Sequence, residues 1–125
     1  MISLYARAWW LLIRFDFILH SRSFATLYHG VRTYALRGVV SPCPAEAEGI
    51  VAAFQMACIW YPKHVRCLQR SAALTCLLRH HGIPAHLVIG TQKLPFKAHA
   101  WVEANGQVLN DKEYTPEMYA VLDRC

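Results

Sequence analysis

A thiol, an imidazole and a carboxylate occur in this chain in an order that suits nucleophilic chemistry. Cys67 opens the run Cys67-Leu68-Gln69-Arg70-Ser71, His99 stands in Ala98-His99-Ala100-Trp101-Val102-Glu103, and Asp111 closes Leu109-Asn110-Asp111. A thiol attacks as its thiolate, and the free N–H groups and dipole of a helix start favour that anion. The pattern puts Cys67 at such a start, with Lys63, His64 and Arg66 adding positive potential. A histidine would take the thiol proton, and a carboxylate would orient the ring and stabilise its cation. The expected roles are Cys67 as nucleophile, His99 as base and Asp111 as orienter.

Each residue has a plainer competitor. The other cysteines are Cys43, Cys58, Cys76 and Cys125. A lone helix cysteine is usually a small packed residue. Cys76 fits that description: it falls mid-helix and half a turn out of phase with Cys67. His64 is close to Cys67 in sequence but sits on a turn. His80 and His81 fall at a helix C-terminus, and His86 reads as a strand-surface residue. His99 has small neighbours, Ala98 and Ala100, that leave its ring unobstructed. A zinc module built from Cys67, His64, His80 and His81 lacks a second ligand pair at matching spacing. The pattern calls for no metal and no cofactor.

Geometry restricts the pair further. With a two-residue Asn105-Gly106 loop, Ala104 pairs with Gln107 and Asp111 falls opposite Ala100, facing away from His99. A three-residue Ala104-Asn105-Gly106 loop pairs Glu103 with Gln107 and His99 with Asp111, with Gly106 left-handed in a bulge. The three-residue loop is therefore expected. For the oxyanion, the Cys67 N–H is one donor by position. Trp60, Tyr61 and His64 remain open as a second.

The elements that must position these groups follow from periodicity. Leu4, Ala8, Leu11, Leu12, Phe15, Ile18 and Leu19 form one apolar helical stripe. Trp9, Trp10, Ile13 and Phe17 widen it, so this helix is either buried on several sides or meets another protein. Residues 21–38 carry a weaker helical pattern, and Ser41-Pro42-Cys43-Pro44 breaks it. A third helix runs from Pro44 to Trp60, ended by Pro62. A fourth runs from about Val65 to His81, with Gly82 as its stop. The period then changes. Strands are expected over 85–90, 98–103 and 107–110, with a loop over 91–97 and a short helix from Thr115 through Leu122. The class is α+β, helices first and a small antiparallel sheet after. It reads as one domain over 1–125, with a helical part over 1–60 and a catalytic core over 61–125.

Composition narrows the setting. The chain has 125 residues, 55% of them hydrophobic, which argues against disorder. Net charge is +5, of which +4 lies in residues 1–40, where Arg7, Arg14, Arg22, Arg32 and Arg37 face Asp16 alone. That end is either a solvated basic face or meets an acidic partner or anionic surface. An odd number of cysteines without a C-x-x-C pair reads as a reducing compartment, hence cytoplasmic. The apolar run 8–13 is broken by Arg14 and Asp16, far short of the roughly 20 residues of a membrane span, and no signal peptidase site is evident.

Together, Cys67-Leu68-Gln69-Arg70-Ser71, Leu77-Leu78-Arg79, Gly82-Ile83-Pro84-Ala85, Leu87-Val88-Ile89-Gly90, Pro95-Phe96, Ala98 through Glu103, Gly106 and Asn110-Asp111 resemble the leader peptidases of lasso-peptide biosynthesis, which are transglutaminase-like cysteine peptidases. The resemblance covers about residues 60–111. It implies a papain/transglutaminase-like core and the same three roles for Cys67, His99 and Asp111. It implies removal of the leader from a ribosomally made precursor peptide, freeing an amine that a separate ATP-dependent lasso cyclase joins to a side-chain carboxylate. It also implies a small pocket for the threonine that family precursors carry near the end of the leader. Some relatives fuse a winged-helix-like leader-recognition domain ahead of the core. The helical residues before Cys67 do not read as one, which implies a separate leader-recognition protein docking on the aromatic, basic N-terminal helices. No nucleic acid partner is expected. Two alternatives stay open: an acyl transferase or transglutaminase using the same triad, and a non-catalytic docking subunit on the same fold.

Overall fold

The computed structural model describes residues 4–36, 44–93, 96–104, 106–111 and 115–125. Three helices come first: α1 (Leu4–Ser21), α2 (Phe24–Arg32) and α3 (Pro44–Trp60). Helix α1 buries Ala8, Leu11, Leu12 and Phe15, the centre of its expected stripe. Helix α2 is shorter than its pattern suggested. Ser23 caps it, the hydroxyl accepting from the Thr26 N–H at 3.4 Å, and it ends at Arg32. Helix α3 turns Phe54 and Ala57 inward. The expected breaker at 41–43, including Cys43, lies outside the described residues.

Helix α4 (Cys67–His80) is the central element. Every residue from Ser71 to Arg79 is buried, so neighbours surround it rather than covering one stripe. Polar side chains tie those neighbours on. Gln69 Nε2 donates to Leu12 O of α1 at 2.9 Å, and Arg79 donates to Val31 O of α2 and to Ala85 O. The helix ends as expected. Gly82 has φ 80°, its N–H reaches Arg79 O, and the Ile83 N–H reaches Leu78 O. This is the Schellman arrangement that glycine makes cheap.

Strands β1 (Ala85–Lys93) and β2 (Phe96–Ala104) follow, then β3 (Gln107–Val108), α5 (Thr115–Met118) and β4 (Ala120–Arg124). The sheet order is β3-β2-β1-β4, and each pairing is antiparallel. One face, with Ala85, Leu87, Ala100, Val102 and Ala104, packs on α4 and the helical core. The other carries Val88, Gly90, His99, Trp101 and Glu103, paired across β1 and β2. The class is α+β, helices first and a small antiparallel sheet after, as expected.

Three expectations are corrected. The loop over 91–97 is mostly strand: Thr91, Gln92 and Lys93 keep pairing, with Ala98, Lys97 and Phe96. Pro95, which suggested the loop, lies outside the described residues. The C-terminal helix stops at Met118, and 120–124 become an edge strand on β1. Here pairing outweighs local helix preference, since Val121 and Leu122 suit a strand and β1 offers an unpaired edge. Lastly, the hairpin has the two-residue spacing. Ala104 pairs with Gln107 and Glu103 with Val108, so the expected three-residue loop is wrong. Gly106 is left-handed at φ 76°, as the turn requires, but no bulge shifts the register. Asn105 lies outside the described residues.

Candidate active site

The corrected register should turn Asp111 away from His99. Instead His99 Nε2 donates a hydrogen bond to Asp111 Oδ2. The reason is that the β3 ladder ends early. The Leu109 N–H still reaches Val102 O at 2.9 Å. The Val102 N–H, however, donates not to a main-chain carbonyl but to the Asn110 side-chain Oδ1 at 2.8 Å. Asn110 thus replaces the backbone at the last rung, and the chain bends out of the sheet. Face alternation binds only residues within a ladder. Asp111 lies beyond it and approaches His99 from the edge.

The same departure leaves the Ala100 carbonyl open at the edge of β2, and a side chain of α4 reaches it. Ser71 Oγ donates to Ala100 O at 3.1 Å, and Asn110 Nδ2 donates to Ser71 Oγ at 3.1 Å. Ser71 is four residues after Cys67, one turn along the same side of α4. The network therefore ties α4 at Ser71 to β2 at Ala100, the residue after His99. Cys67, one turn before Ser71, is half-buried. The helix start has Arg66 at the N-cap with no side-chain capping bond. Its first N–H groups are not consumed by a cap, which leaves donors for an anion. Among the described residues no hydrogen bond joins the Cys67 thiol to His99.

An aromatic frame holds the imidazole. The His99 ring stacks on Trp101 at 6.0 Å between centroids and lies tilted against Tyr119 at 5.3 Å, and those two rings lie 5.9 Å apart. Trp101 is fully buried, and its Nε1 donates to Glu103 Oε2, while Arg124 of β4 engages Glu103 Oε1. Gly90, opposite His99 on β1, makes room for this frame. A Cβ there would lie 2.7 Å from Trp101 Cη2 and 2.9 Å from Tyr119 Cβ. A register shift in β4 beside Ile89 and Gly90 accompanies Tyr119's approach. The His99 and Asp111 side chains are each 26% exposed, so the pair is half-shielded but open to a substrate.

The competing residues fall elsewhere. Cys76 is fully buried, and burial pushes its thiol up to about 12. Burial likewise raises the Cys58 and Cys125 thiols. Burial, and then Arg7, hold His81 below the usual histidine range. Among the described residues, no group of three His, Cys, Asp or Glu side chains is placed to hold a metal ion. The positioning residues Ser71, Asn110, Tyr119 and Gly90 were not singled out from the sequence. Asn110 had a signal, standing directly before Asp111. Tyr119 had none, because its place depends on β4 being a strand.

The family model described as the transglutaminase-like superfamily matches residues 10–124. The microcin J25-processing protein McjB of Escherichia coli is 53% identical over 45 residues, 36% of this chain and 22% of that relative. The chain thus matches about a fifth of that protein's length. No solved structure matches. An α+β core with the histidine strand against the cysteine helix, and a family match over nearly its whole length, make this chain a member of the transglutaminase-like superfamily.

Proposed function

We propose that the chain is a cysteine peptidase that removes the leader from a ribosomally made lasso-peptide precursor, with Cys67, His99 and Asp111 as its triad. The observation that carries this is the His99 Nε2–Asp111 bond on β2, the strand that packs against the helix opened by Cys67. With Nε2 committed to the carboxylate, Nδ1 is the nitrogen left to serve the thiol. In this reading Cys67 passes its proton to Nδ1, and the thiolate attacks the carbonyl at the end of the leader. The oxyanion takes hydrogen bonds from the N–H groups at the start of α4. His99 returns the proton to the departing amine, the new N-terminus of the core peptide. The leader is left as a thioester on Cys67. Water, deprotonated by His99, hydrolyses it and restores the thiol. Asp111 keeps the ring oriented and stabilises its cation. The similarity to McjB, a protein named for processing microcin J25, supports this choice of substrate.

The partners are the leader region of the precursor, a separate leader-recognition protein and the lasso cyclase, all acting in the cytoplasm, with residues 1–125 working as one catalytic unit. An exposed apolar surface supports a docking role for the helices. Trp10, Ile13 and Phe17 on α1 and Met56, Ile59 and Trp60 on α3 are all exposed, far more than single surface hydrophobics require. Among the described residues, no helix is long and apolar enough to cross a membrane. The test is incubation with a lasso precursor, with and without a leader-recognition protein, read by mass spectrometry. Free leader acid and free core amine support hydrolysis. A leader joined to an added amine indicates acyl transfer instead.

A further inference from the structure

A cavity of about 520 Å³ opens beside the start of α4. Its walls include Ile59 and Tyr61, the cationic or titratable side chains Lys63, His64 and Arg70, and Asn110 from the hinge of β3. That volume suits one or two peptide side chains. Two of its lining residues neighbour the candidate triad along the chain. Arg70 is one turn after Cys67, and Asn110 directly precedes Asp111. Among the described residues, no acidic side chain lines it.

The charges in the wall are not equivalent. Lys63 Nζ is paired with Asp16 Oδ2 at 3.1 Å and is 61% exposed, so its charge is largely answered. Arg70 is half-buried and fixed, with Nη2 donating to Val65 O at 3.2 Å. Among the described residues no carboxylate pairs with it, and its Nε is buried with no hydrogen-bond partner. Half-buried charges normally carry a partner, because desolvation is costly. A guanidinium is also the group best shaped to receive a carboxylate.

From this we infer that the cavity is a recognition subsite for a carboxylate side chain, aspartate or glutamate, on the peptide near the bond to be cut. Arg70 is the residue that selects it, with Ile59 and Tyr61 taking the apolar stem. This rests on the peptidase reading for the identity of the ligand as a peptide, but not for the anion site itself.

The test uses the full chain as Cys67→Ala, labelled with nitrogen-15, titrated with N-acetylglutamate N-methylamide and separately with its glutamine analogue. The Arg70 Nε–Hε signal and the Val65 and Asn110 amide signals are followed. The glutamate probe should shift them saturably, and the glutamine probe should bind about tenfold or more weakly, as loss of a charged hydrogen bond predicts. Arg70→Gln should remove the preference. If that variant does not fold, the two-probe comparison on the Arg70 chain decides alone. Equal affinity for both probes, no saturable shift with either, or shifts away from these three residues overturns the inference. Glutamate preference without precursor cleavage would keep the subsite and sink the peptidase reading. Cleavage without preference would do the reverse.

Discussion

Asp111 is hydrogen-bonded to His99 even though the register of their hairpin aims it at Ala100. Asn110 resolves the conflict by ending the ladder with its own side chain. The amide spans two elements, accepting from Val102 on β2 and donating to Ser71 on α4. One asparagine therefore releases the aspartate and fixes the edge where the cysteine helix sits.

Asn110→Ala should cost more in activity than in stability. The loss of two part-buried hydrogen bonds should lower unfolding free energy by about 1–3 kcal/mol. Leader cleavage should fall further than that, because Asp111 would no longer be held out of the ladder. Urea denaturation and cleavage rates measured on the same preparation check this. Equal proportional losses would argue that Asn110 is only structural.

Asp111→Asn should leave the fold intact and lower kcat by about 10²–10⁴-fold, by analogy with neutralising the orienting carboxylate of other triads. The amide keeps the shape but neither stabilises an imidazolium nor enforces the same tautomer. Cleavage kinetics beside a circular dichroism spectrum decide it. An active Asp111→Asn chain would remove Asp111 from the site.

The helices and the histidine strand were legible in the sequence because each carries a strong local signal. Apolar periodicity gave α1, Pro44 and Pro62 bounded α3, and Gly82 stopped α4 at its observed end. Pairing of His99 with Asp111 was also anticipated, but through the wrong turn. The failure is instructive, since side-chain replacement of a backbone rung by Asn110 leaves no periodic trace. Strand β4 was missed for a related reason. Thr115-Pro116-Glu117 announces a helix, whereas the strand after it exists only because β1 has a free edge. Tyr119 over His99 follows from that tertiary pairing and is invisible without it.

Gly90→Ala should destabilise the chain by about 1–3 kcal/mol through overpacking. The new methyl would meet the fully buried Trp101 and the Tyr119 Cβ, neither of which is the free end of a flexible chain. Movement of those rings should also disturb His99. A lowered urea midpoint with altered near-ultraviolet dichroism is expected. An unchanged midpoint would show that the frame is looser than its geometry.

Stability should decline in alkali. Cys76 is held neutral up to about 12, while in the unfolded chain it ionises near its ordinary 9.0. Above pH 9 the unfolded chain thus binds fewer protons, and stability falls as pH rises. This buried thiol alone contributes a slope of about 1.4 kcal/mol per pH unit at most. The raised thiols of Cys58 and Cys125 act in the same direction. Urea midpoints between pH 8 and 11 measure it, and a flat profile would contradict the burial of Cys76.

The most direct measurement is cleavage of a lasso precursor, in the presence of a leader-recognition protein, by the natural chain and by Cys67→Ala. Mass spectrometry should show free leader and free core peptide with the natural chain and intact precursor with the variant. Cleavage that persists in Cys67→Ala would contradict the assignment of Cys67 as nucleophile.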